Sequence, residues 1–168
     1  MKTLIIGLGN PILTDDGVGI YTAREIHAML STATDIEVIE LSVGGITLME
    51  HMIGYDRVIL VDAMWTPPGE AGQVVVFDAG DLTETLNTRS THDADLPTAL
   101  RIGRELGAPL PTDENIQIVA ITANNVLDFD ERPTPVVEAA IPAACDAVFD
   151  LLPLSARVSL MEGMHDFS

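Results

Sequence analysis

Thr3-Leu4-Ile5-Ile6-Gly7-Leu8-Gly9-Asn10-Pro11-Ile12-Leu13-Thr14-Asp15-Asp16-Gly17-Val18-Gly19 lies at the start of the chain, and its reading decides the fold. Thr3 to Leu8 is a short, β-rich apolar run with glycine at its end, the pattern of a buried strand. A tight turn follows, then two adjacent carboxylates, then an amphipathic helix over Gly17 to Leu30. Asp15 or Asp16 stands where that helix would be capped. The inward stripe is Gly19, Thr22 or Ala23, Ile26, and Met29 or Leu30, spaced as one helical face. A strand that runs into an acid-bearing loop puts chemistry at its carboxyl end, where open α/β sheets build their sites.

Working outward, Ile36 to Leu41 reads as a second strand, Ile46 to Ile53 as a short helix, and Arg57 to Ala63 as a third strand closed by Asp62. Thr66-Pro67-Pro68-Gly69 is a turn, because two prolines fix the backbone and remove donors. Gly72 to Asp78 is a fourth strand. Too little chain precedes it for a helical crossover, so it is expected antiparallel to the third. Ala94 to Leu106 reads as a helix, Ile116 to Thr122 as a fifth strand, and Pro135 to Leu152 as a last helix bent at Pro142. This order implies an α/β three-layer sandwich: a mostly parallel five-stranded sheet with one antiparallel strand and helices on both faces. Residues 1–152 are expected to form one domain, with 153–168 a weakly ordered tail. The first and third strands are expected close together, which would bring Asp15 and Asp16 near Asp62.

Composition narrows the function classes. The chain has 168 residues, 47% of them apolar, enough for one sizeable core. Eight basic residues against 26 acidic ones give a net charge of -18, which argues against a nucleic-acid partner. Cys145 is the only cysteine, so neither an internal disulfide nor a Cys-based zinc site is available. The apolar run from Val136 to Leu154 is interrupted by Glu138, Pro142, Asp146 and Asp150, so no membrane span is expected. With no secretory pattern after Lys2, a cytoplasmic monomer is the simplest expectation.

Two readings of the opening loop compete. Gly7-Leu8-Gly9 matches the first glycines of a dinucleotide loop, and Glu40 suits a ribose-binding acid. Yet Ile12 stands at the third glycine position, Pro11 removes a donor, and Asp15 and Asp16 put negative charge where a pyrophosphate would bind. No nucleotide cofactor is therefore expected. In the other reading Asp16, Asp62 and His92, within Ser90-Thr91-His92-Asp93, combine as oxygen and nitrogen ligands for a borderline metal. Plainer roles remain open for each: a helix cap for Asp15 or Asp16, a turn acceptor for Asp62, a solvated His92. His27 falls on the outer side of the first helix, His51 in the second and His165 in the tail. Cys145, among Ala143, Ala144 and Val148, reads as packed rather than catalytic.

The stretch from Gly7 to Gly19 resembles the N-terminal signature of the hydrogenase maturation proteases. Val61-Asp62-Ala63 resembles the second acidic segment of that family, Ser90-Thr91-His92 its histidine loop, and Pro133 to Ile141 the segment opening its last helix. The resemblance implies a three-layer α/β fold. It also implies an endopeptidase, classed as aspartic-type, that removes the C-terminal extension of a nickel–iron hydrogenase large-subunit precursor after nickel insertion. Asp16, Asp62 and His92 would then contact nickel brought by the precursor and carry the catalysis. Glu40 to Gly45, Asp93 and Thr122 to Asn125 depart from common family patterns, and such loops set substrate choice. A non-catalytic nickel-binding chaperone using the same three residues is the alternative, ahead of a nucleotide-binding α/β module. Met64 is expected in the core, and Trp65 is a candidate for precursor recognition.

Overall fold

A computed structural model describes residues 1–30, 35–83 and 96–153. His92 and residues 154–168 of the expected tail lie outside the described residues. The elements are β1 (Thr3–Leu8), α1 (Val18–Met29), β2 (Ile36–Leu41), α2 (Gly45–His51), β3 (Arg57–Trp65), β4 (Val74–Asp78), α3 (Leu96–Glu105), β5 (Ile116–Ala123), α4 (Pro135–Glu138) and α5 (Ile141–Leu151). They form the expected α/β architecture. The five strands lie in the order β2-β1-β3-β5-β4. The first four are parallel, and β4 is antiparallel to β5.

β1 is buried along its whole length because helices cover both faces of the sheet. Leu4, Ile6, Leu8, Val58, Leu60, Ile118 and Ala120 pack on the face covered by α2 and α3. Ile5, Ile59, Val61, Val119 and Ile121 pack on the opposite face, against α1 and α5. Each fully buried Leu or Ile contributes roughly 1.5–3 kcal/mol relative to exposure. Met64 packs against the α2/α3 side as expected. Among the described residues no helix is long and apolar enough to cross a membrane.

Four expectations need correction. β4 does run opposite to β3, but its neighbour is β5, which inserts between the two. β3 does not end at Ala63; Met64 and Trp65 continue it by pairing with Thr122 and Ala123 of β5. The last helix is two helices. Pro142 has no N–H, and inside one continuous helix its ring would clash with the carbonyl of Glu138. Glu138 is where α4 stops, and Pro142 falls in the first turn of α5, where a missing donor costs little. Finally, neither acid caps α1. Thr14–Gly17 forms a 3-10 turn leading into the helix, Gly17 takes the cap position, and no side chain bonds there. In the stripe of α1, Gly19, Thr22, Ala23 and Ile26 are buried, Leu30 packs against the same cluster, and Met29 is exposed.

Candidate active site

The carboxyl ends of β1 and β3 meet the start of α1 at very short range. A Cβ on Gly19 would lie 2.2 Å from the carbonyl oxygen of Val61 and 2.3 Å from that of Leu8. Only glycine lets the first turn of α1 come this close to both strands. Gly9 has φ +133°, and a Cβ there would lie 1.9 Å from the carbonyl oxygen of Asp16. The two glycines thus press the acid-bearing turn onto the sheet edge.

Asp62 stands on this edge. Val61 is the last β3 residue in register with β1, opposite Gly7, so Asp62 comes just past that pairing. It shares strand parity with Val58 and Leu60, which pack on the α2/α3 face. It is 1% exposed. Its Oδ1 accepts the N–H of Ala63 at 2.8 Å, a bond within β3 rather than to a turn, since the strand continues past this residue. α3 begins at buried Leu96 on the same face.

Asp15 and Asp16 part company. Asp16 is half-buried, and its Oδ2 accepts the N–H of Asn10 at 2.8 Å. That carboxylate occupies a loop donor of the kind a dinucleotide phosphate would need. Asp15 is fully buried. Its carboxylate accepts the N–H of Thr134 at 2.7 Å, the hydroxyl of Thr134 at 3.1 Å and the N–H of Asn125 at 3.4 Å. It ties the loop 124–134 to the acid-bearing turn. The same turn holds Thr14 at φ +34°, a left-handed conformation uncommon for a β-branched residue. Thr14 is kept there by its N–H to the Asp130 carbonyl at 3.1 Å and its hydroxyl to the Asp128 carbonyl at 2.6 Å. Sequence reasoning missed this clasp, because Asp15 and Thr134 are 119 positions apart and nothing local pairs them.

Asp16 and Asp62 therefore lie at the ends of neighbouring structural units on one sheet edge. His92 lies outside the described residues, and among those described no three His, Cys, Asp or Glu side chains form a group able to hold a metal. His27 and His51 are exposed on α1 and α2. Cys145 is buried on α5, and burial, reinforced by Glu25 and Asp146, pushes its thiol up to about 11. It stays protonated near neutral pH, which does not suit a nucleophile. Trp65 is exposed at the end of β3, paired with Ala123, where the loop 124–134 begins.

Acids at the carboxyl ends of inner strands, on a doubly covered sheet, stand where open α/β folds bind their ligands. The chain belongs to the hydrogenase maturation protease family, whose model (HycI) matches residues 20–151, and it is accordingly a hydrolase. The hydrogenase 2 maturation protease of Escherichia coli K12 is 24% identical over 99% of this chain and 100% of its own length. The solved hydrogenase maturating endopeptidase HybD from E. coli superimposes with a TM-score of 0.76 at 23% identity, covering 89% of this chain and 91% of that one. The NiFe hydrogenase maturation protease HybD from Thermococcus kodakarensis gives 0.71 at 25% identity, over 91% and 100% of the two chains.

Proposed function

We propose that this protease removes the C-terminal extension of a nickel–iron hydrogenase large-subunit precursor once nickel has been inserted. Asp16, Asp62 and His92 recognise that nickel, which arrives as part of the substrate. The observation that carries this reading is the buried Asp62 carboxylate beside the glycine-packed turn that bears Asp16. Carboxylate and imidazole suit a borderline divalent metal already held by precursor thiolates. Docking through the metal would bring the scissile peptide to the sheet edge. There the nickel would supply Lewis-acid polarisation of the carbonyl or of a bound water, or Asp16 or Asp62 would serve as general base. We place the reaction in the cytoplasm, performed by a monomer without a nucleotide cofactor.

The test is mass spectrometry of the precursor incubated with the protein, nickel-loaded and nickel-free. Release of one defined C-terminal peptide from the loaded sample alone is the expected result. Nickel transfer or retention with no cleavage would instead favour the chaperone reading. Equal cleavage of both samples would remove nickel from recognition.

A further inference from the structure

Leu127 and Phe129 are 82% and 81% exposed, and they share one short loop. Leu106 is equally exposed but stands alone after α3, and isolated apolar side chains on a surface are ordinary. The Leu127–Phe129 pair differs because its backbone is held by the rest of the fold. The Asp130 N–H donates to the Ile12 carbonyl at 3.2 Å, the Thr14 N–H to the Asp130 carbonyl, and the Asp15 N–H to the Asn125 carbonyl at 3.0 Å. Ile12, itself 49% exposed, lies on the facing loop. Side chains presented on an ordered backbone lose little freedom on binding.

A groove of about 460 Å³ lies alongside, lined by Thr14, Thr134 and Phe129. Its lining also holds three carboxylates, Asp128, Asp130 and Glu138, against the single cation Arg132. The charge selects the occupant, since an acidic segment would be repelled and a basic one drawn in.

We infer that the strap 124–134 is a docking surface for the precursor protein, and that its occupant is a precursor segment bearing apolar side chains flanked by Lys or Arg. The partner's identity rests on the function proposed above; the surface itself does not. Continuity supports the assignment. The strap is bonded through Asp15 to the turn that presents Asp16, so a segment held at Leu127 and Phe129 lies against the acid-bearing loop.

The experiment compares wild type, the double variant Leu127→Ser/Phe129→Ser and the charge reversal Asp128→Lys. Affinity for full-length nickel-loaded precursor is measured across a salt series, alongside cleavage kinetics and thermal midpoint. Both side chains of the double variant are exposed, so its midpoint should match wild type. Its affinity should fall about tenfold or more, the scale of a hot-spot truncation. KM should rise in parallel while kcat stays within about twofold. Asp128→Lys should weaken binding on its own, and wild-type affinity should decline with salt. Wild-type affinity in the double variant overturns the docking surface, and salt-independent binding overturns the basic occupant. A wild type that binds through the strap but never cuts sinks the proposed function and leaves the docking surface standing. Cleavage that is indifferent to all three substitutions does the reverse.

Discussion

Asp15 and Asp16 are consecutive and chemically identical, yet they serve two different regions of the molecule. Asp15 points into a closed clasp, where three donors from the strap 124–134 surround it. Asp16 is half-buried and accepts the Asn10 N–H, within its own turn rather than from the strap. Burial and partners, not residue type, divide the work: Asp15 holds the strap 124–134, and Asp16 accepts from Asn10 within its own turn.

That division can be broken by substitution. The largest effect should come from Asp16 and Asp62. Asp16→Asn or Asp62→Asn should lower kcat/KM for nickel-loaded precursor by more than about a hundredfold, beyond the usual loss of a supporting hydrogen bond. The Asp16→Asn thermal midpoint should barely move. A midpoint that collapses with Asp16→Asn would make both acids structural and dissolve the distinction.

Next comes the closed side. Asp15→Ala strands the Thr134 and Asn125 donors and should cost about 1–3 kcal/mol, read as a midpoint lower by several degrees. Asp15→Asn keeps an acceptor and should cost less. A stable Asp15→Ala protein with no activity would mean that Asp15, too, works on the substrate.

A smaller change is expected at Thr14. Glycine would relieve the positive φ, worth of order 1 kcal/mol, but would lose the hydroxyl bond to Asp128, worth about the same. Thr14→Gly should therefore leave stability nearly unchanged. A clear loss would show that the hydroxyl bond outweighs the strain.

The smallest effect sits away from both acids. Cys145 is raised from an ordinary 9.0 to about 11, so the fold favours its neutral thiol. Its contribution is fully present below about pH 9 and disappears as pH rises through about 11. Cys145→Ala should flatten that alkaline limb of the stability curve, and a water-soluble thiol reagent at pH 8 should not label the native protein.

Much of the fold was legible because its signals are local. The run Leu4-Ile5-Ile6 can be read as a buried strand without knowing any neighbour, and it is one. The adjacency of β1 and β3, and with it the shared edge of Asp16 and Asp62, followed from topology rules alone. What failed was non-local. The neighbour of β4 depends on β5, whose defining residues come some forty positions later. The end of β3 moved from Ala63 to Trp65 because Thr122 and Ala123 were there to pair with its last residues. Asp15 looked like a cap because a cap is the local use of an acid before a helix, whereas its partner Thr134 is visible only in three dimensions. The turn at Thr14 lacks the glycine that usually signals a positive φ, so nothing in the residue type revealed it.

The insertion of β5 between β3 and β4 also bears on how the protein is made. A chain leaving the ribosome can pair β1, β2 and β3 early, but among the described strands β4 pairs only with β5, so it waits until β5 has emerged. Thr134, which closes the clasp on Asp15, emerges later still. Domains fold during synthesis as their parts become available. The acid-bearing turn therefore acquires its final support only near the close of translation, and a nascent chain stalled before residue 134 would carry both aspartates without the geometry that tells them apart.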